Sequence, residues 1–559
     1  AAAGIGTASQ RGGVLIFTGP VPVQDTQVNK AGNWGGAGSI VFGQDSLDLL
    51  GGQMAVGRMG TGTYADLAIG AQGADGPGNA RNLAGALYVV RGNLTMAAQS
   101  DLSTLPASIE MDGAAANALL TRAASSIAIG DLDGDGKIDL LVGVSDWRDY
   151  GWDDAFDENG RWLRGPLHGR VWLHRNTGTN ANPVYAEPVD LGFDTYGSPA
   201  PNPVDWFGSG RLDLVTGSFV DWLDVRRRQA DGSLAAPVRF PFRLDLCMIQ
   251  PRVADWRAGR GPSLLVAEED GTISLFENEN ARGREPKLAA ERKLIQIDPY
   301  VKSGALSRPV AVDWNGDGKL DLVSGNSAGY IQWFENTGTR DRAEFTDRGY
   351  LEAAGKVIRR IAGPNGSVQG PAEEKWGYSN PVVADWDLDG QLDLLVNDIW
   401  GDPVWYRRQG AQLEAARPIE VEWAGAAPKP EWVWWQPKGK QLLTQWRTTP
   451  KVVDWDRDGL PDLVMLNHQG YLCLFRRYRE AGQLKLKAPE RIFLNAAGRF
   501  LNLANGRAGS SGRRKIEFAD LDADGDLDLI TDSDDGPVWQ ENIGTQAKPV
   551  MAPRGLVMP

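Results

Sequence analysis

The chain has 559 residues, with 58 Lys plus Arg against 72 Asp plus Glu and a formal net charge of −14. This acidic balance argues against a nucleic-acid-binding protein, which needs a basic surface to neutralise phosphates. No apolar run approaches the roughly 18–20 residues of a membrane span. The 69 Gly and 21 Trp fit a folded chain with many tight turns.

Residues 1–57 carry two strand-like runs, GGVLIFTG at 12–19 and SIVFG at 39–43. Neither run is joined to an acidic loop. We therefore expect this segment to form a degenerate repeat, or to supply strands that close a ring of sheets against the C-terminal end. Closing a ring in this way removes sheet edges that would otherwise invite aggregation.

An acidic motif, Asp-x-Asp-x-Asp-Gly-x-x-Asp, lies between two short apolar runs in VADWDLDGQLDLLV at 383–396. Its four carboxylates fall at loop positions 1, 3, 5 and 9 and repel one another unless a cation binds among them. Oxygen ligands at this density suit Ca²⁺, which takes about six to eight of them. An EF-hand would need flanking helices and a glutamate at position 12, whereas these flanks read as strands. The motif predicts a calcium loop that joins two strands.

The motif recurs in copies that start at 58, 131, 205, 255, 313, 385, 454 and 520. Five copies keep their ligand positions, and we expect about five calcium sites. The predicted ligands are Asp131, Asp133, Asp135, Asp139, Asp313, Asn315, Asp317, Asp321, Asp385, Asp387, Asp389, Asp393, Asp454, Asp456, Asp458, Asp462, Asp520, Asp522, Asp524 and Asp528. In the copies at 205 and 255, the third position holds Phe207 and Arg257, and the copy at 58 keeps only its last aspartate.

The copies start 50 to 74 residues apart, and most are followed by a strand that begins with glycine, such as GYIQWF at 329–334. A repeated unit of about four strands with one loop is typical of a propeller blade. We expect an all-β fold over residues 1–559, a single closed β-propeller of four-stranded blades with the calcium loops between strands 1 and 2. The repeats predict about eight blades, and seven are possible because closing strands can come from either chain end.

These repeats resemble the FG-GAP/VCBS-repeat β-propeller family. The N-terminal segments DLAIGA at 66–71 and GALYVV at 85–90 are similar to the integrin α-subunit head, and later endings such as FENTG at 334–338 are similar to secreted bacterial VCBS-repeat proteins. The resemblance implies the propeller fold and bound calcium. Some family members act on polysaccharides, but one fold supports many functions.

Two kinds of residue are predicted to be structural. A tryptophan follows the first loop aspartate in five repeats, at Trp206, Trp256, Trp314, Trp386 and Trp455. This recurrence predicts packing between neighbouring blades. Both cysteines, Cys247 and Cys473, lie in strand-like runs and are predicted to be buried free thiols.

Basic residues precede many of the first strands, and in a ring they would gather on the face opposite the calcium loops. The candidates for ligand binding are Arg122, Arg252, Arg308, Arg447, Arg513 and Arg514, with Trp376 and Trp446 as flat surfaces for sugar rings. Arginine binds carboxylate and sulfate in a bidentate manner, which favours an acidic carbohydrate. The alternative is that these cations pair with acidic residues near the loops.

Three functions remain open on the sequence. The first is a secreted or periplasmic, calcium-binding module for an acidic polysaccharide, a cell-surface glycan or a protein partner. The second is a polysaccharide lyase on uronate-containing glycan, with Tyr378, His168 or Lys375 as the base. Hydrolysis by paired carboxylates such as Glu373 and Glu374 is less specific. The third is integrin-like adhesion to a protein partner.

Overall fold

The computed structural model describes the backbone of seven strands before residue 113, and then residues 124–557 with gaps at 147–156, 158, 160, 181–182, 193, 255, 270–271, 295–300, 341, 369, 505–512 and 533–536. Side chains are described from residue 126. The predicted ligand Arg122, the loop of the copy at 58 and the first aspartate of the copy at 255 lie outside the described residues.

The chain divides into two compact units. The first comprises residues 1–149, 167–268 and 272–294. Its strands are β1 (Gly13–Ile16), β2 (Ser39–Phe42), β3 (Leu50–Gly57), β4 (Asp66–Ala71), β5 (Ala86–Val90), β6 (Gln99–Asp101), β7 (Ile109–Asp112), β8 (Ala124–Gly130), β9 (Asp139–Asp146), β10 (His168–His174), β11 (Val189–Asp190), β12 (Ala200–Val204), β13 (Asp213–Gly217), β14 (Asp224–Arg226), β15 (Val238–Arg239), β16 (Gln250–Ala254), β17 (Ser263–Ala267), β18 (Ile273–Phe276) and β19 (Arg292–Lys293).

The second unit comprises residues 150–166, 269–271 and 295–559. Its strands are β20 (Arg308–Val312), β21 (Asp321–Gly325), β22 (Ile331–Asn336), β23 (Phe345–Tyr350), β24 (Glu352–Ala353), β25 (Lys356–Val357), β26 (Asn380–Ala384), β27 (Asp393–Asn397), β28 (Val404–Tyr406), β29 (Arg408–Gln409), β30 (Gln412–Leu413), β31 (Arg417–Pro418), β32 (Lys451–Val453), β33 (Asp462–Leu466), β34 (Leu472–Phe475), β35 (Arg477–Glu480), β36 (Gln483–Leu486), β37 (Leu494–Asn495), β38 (Ile516–Ala519), β39 (Asp528–Thr531), β40 (Val538–Asn542) and β41 (Val550–Leu556). A 3-10 turn spans Pro371–Glu373.

Among the described strands, each copy of the motif lies between the first and second strands of its own sheet. The second strand then pairs antiparallel with the third. In the sheet β26-β27-β28-β31, for example, Asn380 is opposite Asn397 and Ala384 is opposite Asp393. Most of these sheets have four antiparallel strands, the arrangement of a propeller blade. The prediction of an all-β fold is confirmed, since the described residues contain no α-helix.

The second strands are the most deeply buried, because their apolar runs pack on both faces. In the second unit, all five residues of β27 and of β33 are buried. One core cluster there joins Trp386 and Leu395 of one sheet with Leu463 and Phe475 of the next. Successive sheets in this unit therefore share cores.

The predictions for tryptophan and cysteine can be compared directly with the structure. Trp206, Trp314, Trp386 and Trp455 are buried in core clusters, as predicted. The prediction was wrong for Trp256, whose residue exposure is 41%. Among the five loops with this tryptophan, its loop has the weakest match to the motif, with serine in place of the ninth aspartate. Both cysteines are free and buried, as predicted.

Close backbone packing in the second unit explains why residue 325 is a glycine. Gly325 ends β21, and a Cβ atom there would stand 2.1 Å from the carbonyl oxygen of Ser379 and 2.8 Å from Pro381. Only glycine allows such an approach. The start of β26 therefore lies directly against the end of the preceding second strand.

Candidate functional site

The first aspartate of each acidic loop holds the turn through backbone hydrogen bonds. Asp385 Oδ1 accepts from the N–H of Asp389 at 3.0 Å, and Oδ2 accepts from the N–H of Gly390 at 3.0 Å. Gly390 has a φ of 87°, in the left-handed region that favours glycine. The loops at 131, 313, 454 and 520 repeat the second bond.

The ninth aspartate begins the second strand and is buried. Oδ2 of Asp393 accepts from the N–H of Trp386 at 3.2 Å, and Oδ1 accepts from the N–H of Arg408 at 2.7 Å. The other four loops make the same two bonds, through Asp139, Asp321, Asp462 and Asp528. Burial raises the pKa of Asp393 to about 6. This side chain links the loop to the end of the third strand.

The loop at 205–213 keeps this frame although its third position is Phe207. Asp205 accepts from the N–H groups of Ser209 and Gly210 at 2.7 and 2.9 Å. Asp213 accepts from Phe207 and Arg228 at 3.1 and 2.8 Å. The first and ninth aspartates thus have a structural role of their own, and the third and fifth positions distinguish a metal-competent loop.

The residues of the acidic loops fit a hard divalent cation. In four loops, three carboxylates each place one oxygen within 4.8 Å of the others, namely Asp131, Asp133 and Asp139; Asp385, Asp387 and Asp393; Asp454, Asp456 and Asp462; and Asp520, Asp522 and Asp524. In the loop at 313, Asn315 supplies an amide oxygen instead. Oδ1 of Asp387 is buried and accepts no hydrogen bond, as expected of an atom placed to coordinate an ion. A bound ion would neutralise the loop carboxylates.

Four cationic side chains gather in the second unit, Arg308, Arg447, Arg513 and Lys515. Lys515 Nζ donates to the carbonyl oxygen of Arg447, and to Asn380 Oδ1 at 2.6 Å. The guanidinium carbons of Arg447 and Arg513 each lie 5.1 Å from the ring centre of Trp446. The four cations therefore belong to one cluster, which we call the cation cluster.

The positive charges of the cation cluster repel one another. Burial first, and then the charges of Arg308 and Arg447, hold the pKa of Lys515 well below its ordinary value. Burial and then the charge of Arg447 lower the pKa values of Arg308 and Arg513. Asp532 and Glu373 oppose these shifts only in part. Such a cluster favours an anion.

Arg447 is held in place by its neighbours. Its backbone N–H donates to the carbonyl oxygen of Asp398 at 2.7 Å, and its φ of 59° is unusual for a residue with a side chain. Its guanidinium carbon lies 3.2 Å from the ring centre of Tyr378, a cation–π contact. The side chain is pre-positioned by this packing.

Glu373 and Tyr378 form a buried acidic pair beside Arg447. The Tyr378 hydroxyl donates to Glu373 Oε1 at 3.4 Å, and the Ser367 hydroxyl donates to Oε2. Burial raises the pKa of Glu373 and raises that of Tyr378 well above its usual value. Tyr378 is therefore a proton donor here, which disfavours the predicted role as a base.

The remaining predicted site residues lie in varied surroundings. Arg514 donates to the Leu503 carbonyl oxygen and is 3.9 Å from Asp532. Lys375 is half-buried beyond the 3-10 turn. In the first unit, His168 contacts the Asp194 carboxylate, and exposed Arg252 donates to the Pro251 carbonyl oxygen at 2.9 Å.

The predicted sugar-stacking tryptophans are largely enclosed. Trp446 is 0% exposed and Trp376 is 8% exposed. Neither offers a free indole face on which a sugar ring can stack. Trp446 instead lies between two arginines of the cation cluster, where its ring supports their guanidinium groups.

Lys515 is the candidate site residue that sequence reasoning missed. It lies five residues before its loop aspartate, at the position that Arg308 and Asn380 occupy in their repeats. Aligning the repeats on their first loop aspartates would have identified Lys515, because it shares its position with Arg308 and Asn380. The sequence drew attention instead to the neighbouring pair Arg513 and Arg514.

Comparisons with known proteins identify the repeats. A model of the FG-GAP-like repeat matches residues 313–396 and 454–531, which contain four of the acidic loops. These two segments are therefore similar to the FG-GAP-like repeat, the resemblance that the sequence predicts. No curated protein matches the chain. Within the described residues, no helix is both long and apolar enough to cross a membrane.

Two solved structures were found to be similar. One concerns specific recognition of non-reducing terminal N-acetylglucosamine by a lectin of Agrocybe aegerita, at 15% identity and a TM-score of 0.25, covering 75% of this chain and 90% of that one. The other is the BP39L lectin from Burkholderia pseudomallei, at 14% identity and a TM-score of 0.25, covering 77% of this chain and 99% of that one.

Proposed function

We propose that this protein is a secreted or periplasmic, calcium-binding β-propeller module that binds an acidic carbohydrate through the cation cluster. The observation that carries the proposal is the gathering of Arg308, Arg447, Arg513 and Lys515, whose counter-charges among the described residues are Glu373 and Asp532. Fixed guanidinium groups match the planar carboxylate or sulfate of an acidic sugar.

The architecture in this proposal is one closed ring of about eight blades. Its support is the recurrence of one antiparallel sheet plan around each copy of the motif. In a ring, first strands line the central channel, and the contact between Lys515 and Asn380 joins two first strands. The loops lie at the opposite ends of those strands, so calcium and ligand occupy different faces.

Binding of uronate and sulfated oligosaccharides, measured by isothermal titration calorimetry, tests the ligand proposal. Arg513→Gln and Lys515→Met should each weaken binding by about tenfold or more, because a hydrogen bond to a charged group contributes about 1.5–3 kcal/mol. Arg499→Gln, which removes an exposed cation outside the cluster, should bind like the wild type. Equal affinity in all four proteins, or retention of no acidic glycan, would contradict the proposal.

The same samples separate the other candidate functions. Appearance of unsaturated uronate, detected by its ultraviolet absorbance, would replace the binding module with a polysaccharide lyase. Binding to a protein partner, with no glycan retained, would favour adhesion. The buried hydroxyl of Tyr378 and its raised pKa count against its acting as the base of a lyase.

Calcium removal should lower stability, because the loop carboxylates then repel one another. An ion present at a hundredfold excess over its Kd contributes about 2.7 kcal/mol per site. Thermal unfolding with chelator and after calcium is restored should therefore give a reversible fall in Tm. An identical Tm in both conditions would remove the calcium part of the proposal.

A further inference from the structure

One residue at the end of each third strand faces the acidic loop of its own repeat. We call it the closing residue. It directly precedes the residue at the end of the third strand whose backbone N–H donates to the side chain at the ninth loop position. In the seven repeats from 131 onward, the closing residues are Arg175, Arg227, Glu277, Glu335, Arg407, Arg476 and Glu541.

In three metal-competent loops the closing residue is an arginine that contacts the third aspartate. Arg407 Nε lies 2.6 Å from Asp387, and its Nη2 lies 2.9 Å from Asp389. Arg476 contacts Asp456 through Nη1, and its Nε lies 3.1 Å from Glu490. In the loop at 131, Arg175 is 3.7 Å from the third aspartate. In these repeats, the protein supplies a cation to the oxygens that a metal would use.

The loops at 205 and 255 lack the ligand residues of a metal site, yet their third position still contacts the closing residue. In the loop at 255, the charges are exchanged, with Arg257 at the third position 2.8 Å from the closing residue Glu277. In the loop at 205, the guanidinium carbon of Arg227 lies 4.5 Å from the ring centre of Phe207. The third position and the closing residue therefore act as a complementary pair.

The loops at 313 and 520 differ, because their closing residues are glutamates. Glu335 accepts from Asn315 Nδ2 at 3.2 Å, and its other oxygen accepts from Arg348 on the fourth strand at 2.6 Å. Glu541 accepts from Arg554 at 2.5 Å. In the loop at 520, an acidic closing residue therefore stands opposite an acidic third position, Asp522.

We propose that the closing residue grades the calcium affinity of the loops, in that its charge makes some loops bind calcium more tightly than others. The glutamate loops at 313 and 520 bind calcium more tightly, since Glu335 and Glu541, each paired with a fourth-strand arginine, place no guanidinium group on the loop oxygens. The arginine loops at 131, 385 and 454 bind it weakly, because an ion must displace a guanidinium group. This inference rests on the proposed binding of calcium, whose affinity is set by ligand charge.

Calcium titration of the apo-protein by calorimetry, with bound metal counted by mass spectrometry after dialysis, tests the grading. The wild type should show two tight sites and a weaker class. Arg407→Gln should strengthen one weak site by about tenfold or more, so that three tight sites are counted. Glu541→Gln should weaken one tight site by a similar factor.

Arg417→Gln is the matched control, since Arg417 belongs to the same repeat as Arg407 and pairs with Glu414. It should leave the titration unchanged. Circular dichroism should report an unchanged fold in all three variants, because these side chains are partly exposed. Five sites of equal affinity that do not respond to Arg407→Gln would overturn the grading and leave calcium binding intact. No bound calcium would overturn both.

Discussion

Asp393→Ala should destabilise the protein by about 3–6 kcal/mol, because two hydrogen bonds to a charged, buried acceptor are lost together. Asp393 is 0% exposed, and the N–H groups of Trp386 and Arg408 would be left without their acceptor. Urea unfolding followed by tryptophan fluorescence measures the change. The loss should persist in chelator, since backbone hydrogen bonds and not a metal cause it.

Two further variants separate the structural role from the metal role. Asp213→Ala removes the same bonds from a loop whose third position is Phe207, so its cost should be large and independent of calcium. Asp522→Ala removes an exposed third aspartate, so its cost should be small in chelator and should appear only with calcium. If Asp213→Ala were as stable as the wild type, the role assigned to the ninth aspartate would be wrong.

Arg360→Met should cost about 3–5 kcal/mol, the usual penalty for removing one partner of a buried ion pair. Arg360 contacts the carboxylate of Asp398, which is 2% exposed, and its Nη2 is 3.5 Å from Asp402. The substitution leaves two carboxylates without their cation. Since the Asp398 carbonyl oxygen accepts from the N–H of Arg447, weaker glycan binding should accompany the loss.

The cost of Arg360→Met should depend on pH with a defined sign. Burial, and then the charge of Asp398, already raise the pKa of Asp402 to about 6. Without the guanidinium, the pKa of Asp402 rises further, and an acid with a raised folded pKa loses stability as pH increases. The variant should therefore be closer to the wild type at about pH 5 than at about pH 8. Arg359→Met, which removes the neighbouring arginine, should lack this pH dependence.

The repeats were predictable because their signal is local. The loop aspartates, the turn glycine and the apolar runs on both sides lie within about 14 residues, so spacing alone predicts strand, loop and strand. Arg308, Arg447 and Arg513 were predicted from position in the repeat, and the structure places them in one cluster.

Tertiary packing decided what the sequence left open. The sequence suggested Trp376 and Trp446 as flat surfaces for sugar rings, yet both side chains are buried. The closing residues lie 19 or 20 positions beyond the third loop position in six repeats and 42 positions beyond it in the repeat at 131, so no local pattern links them. Only the antiparallel register of the second and third strands brings each pair together.

A loop that keeps its shape through Asp205 and Asp213, with Phe207 in place of a ligand, uncouples folding from metal occupancy one repeat at a time. Single substitutions at the third position or at the closing residue can then change the metal competence of one loop without disturbing the fold of its sheet. With calcium bound as proposed, the calcium concentration would set the rigidity of the structure loop by loop and would not switch the whole molecule between two states.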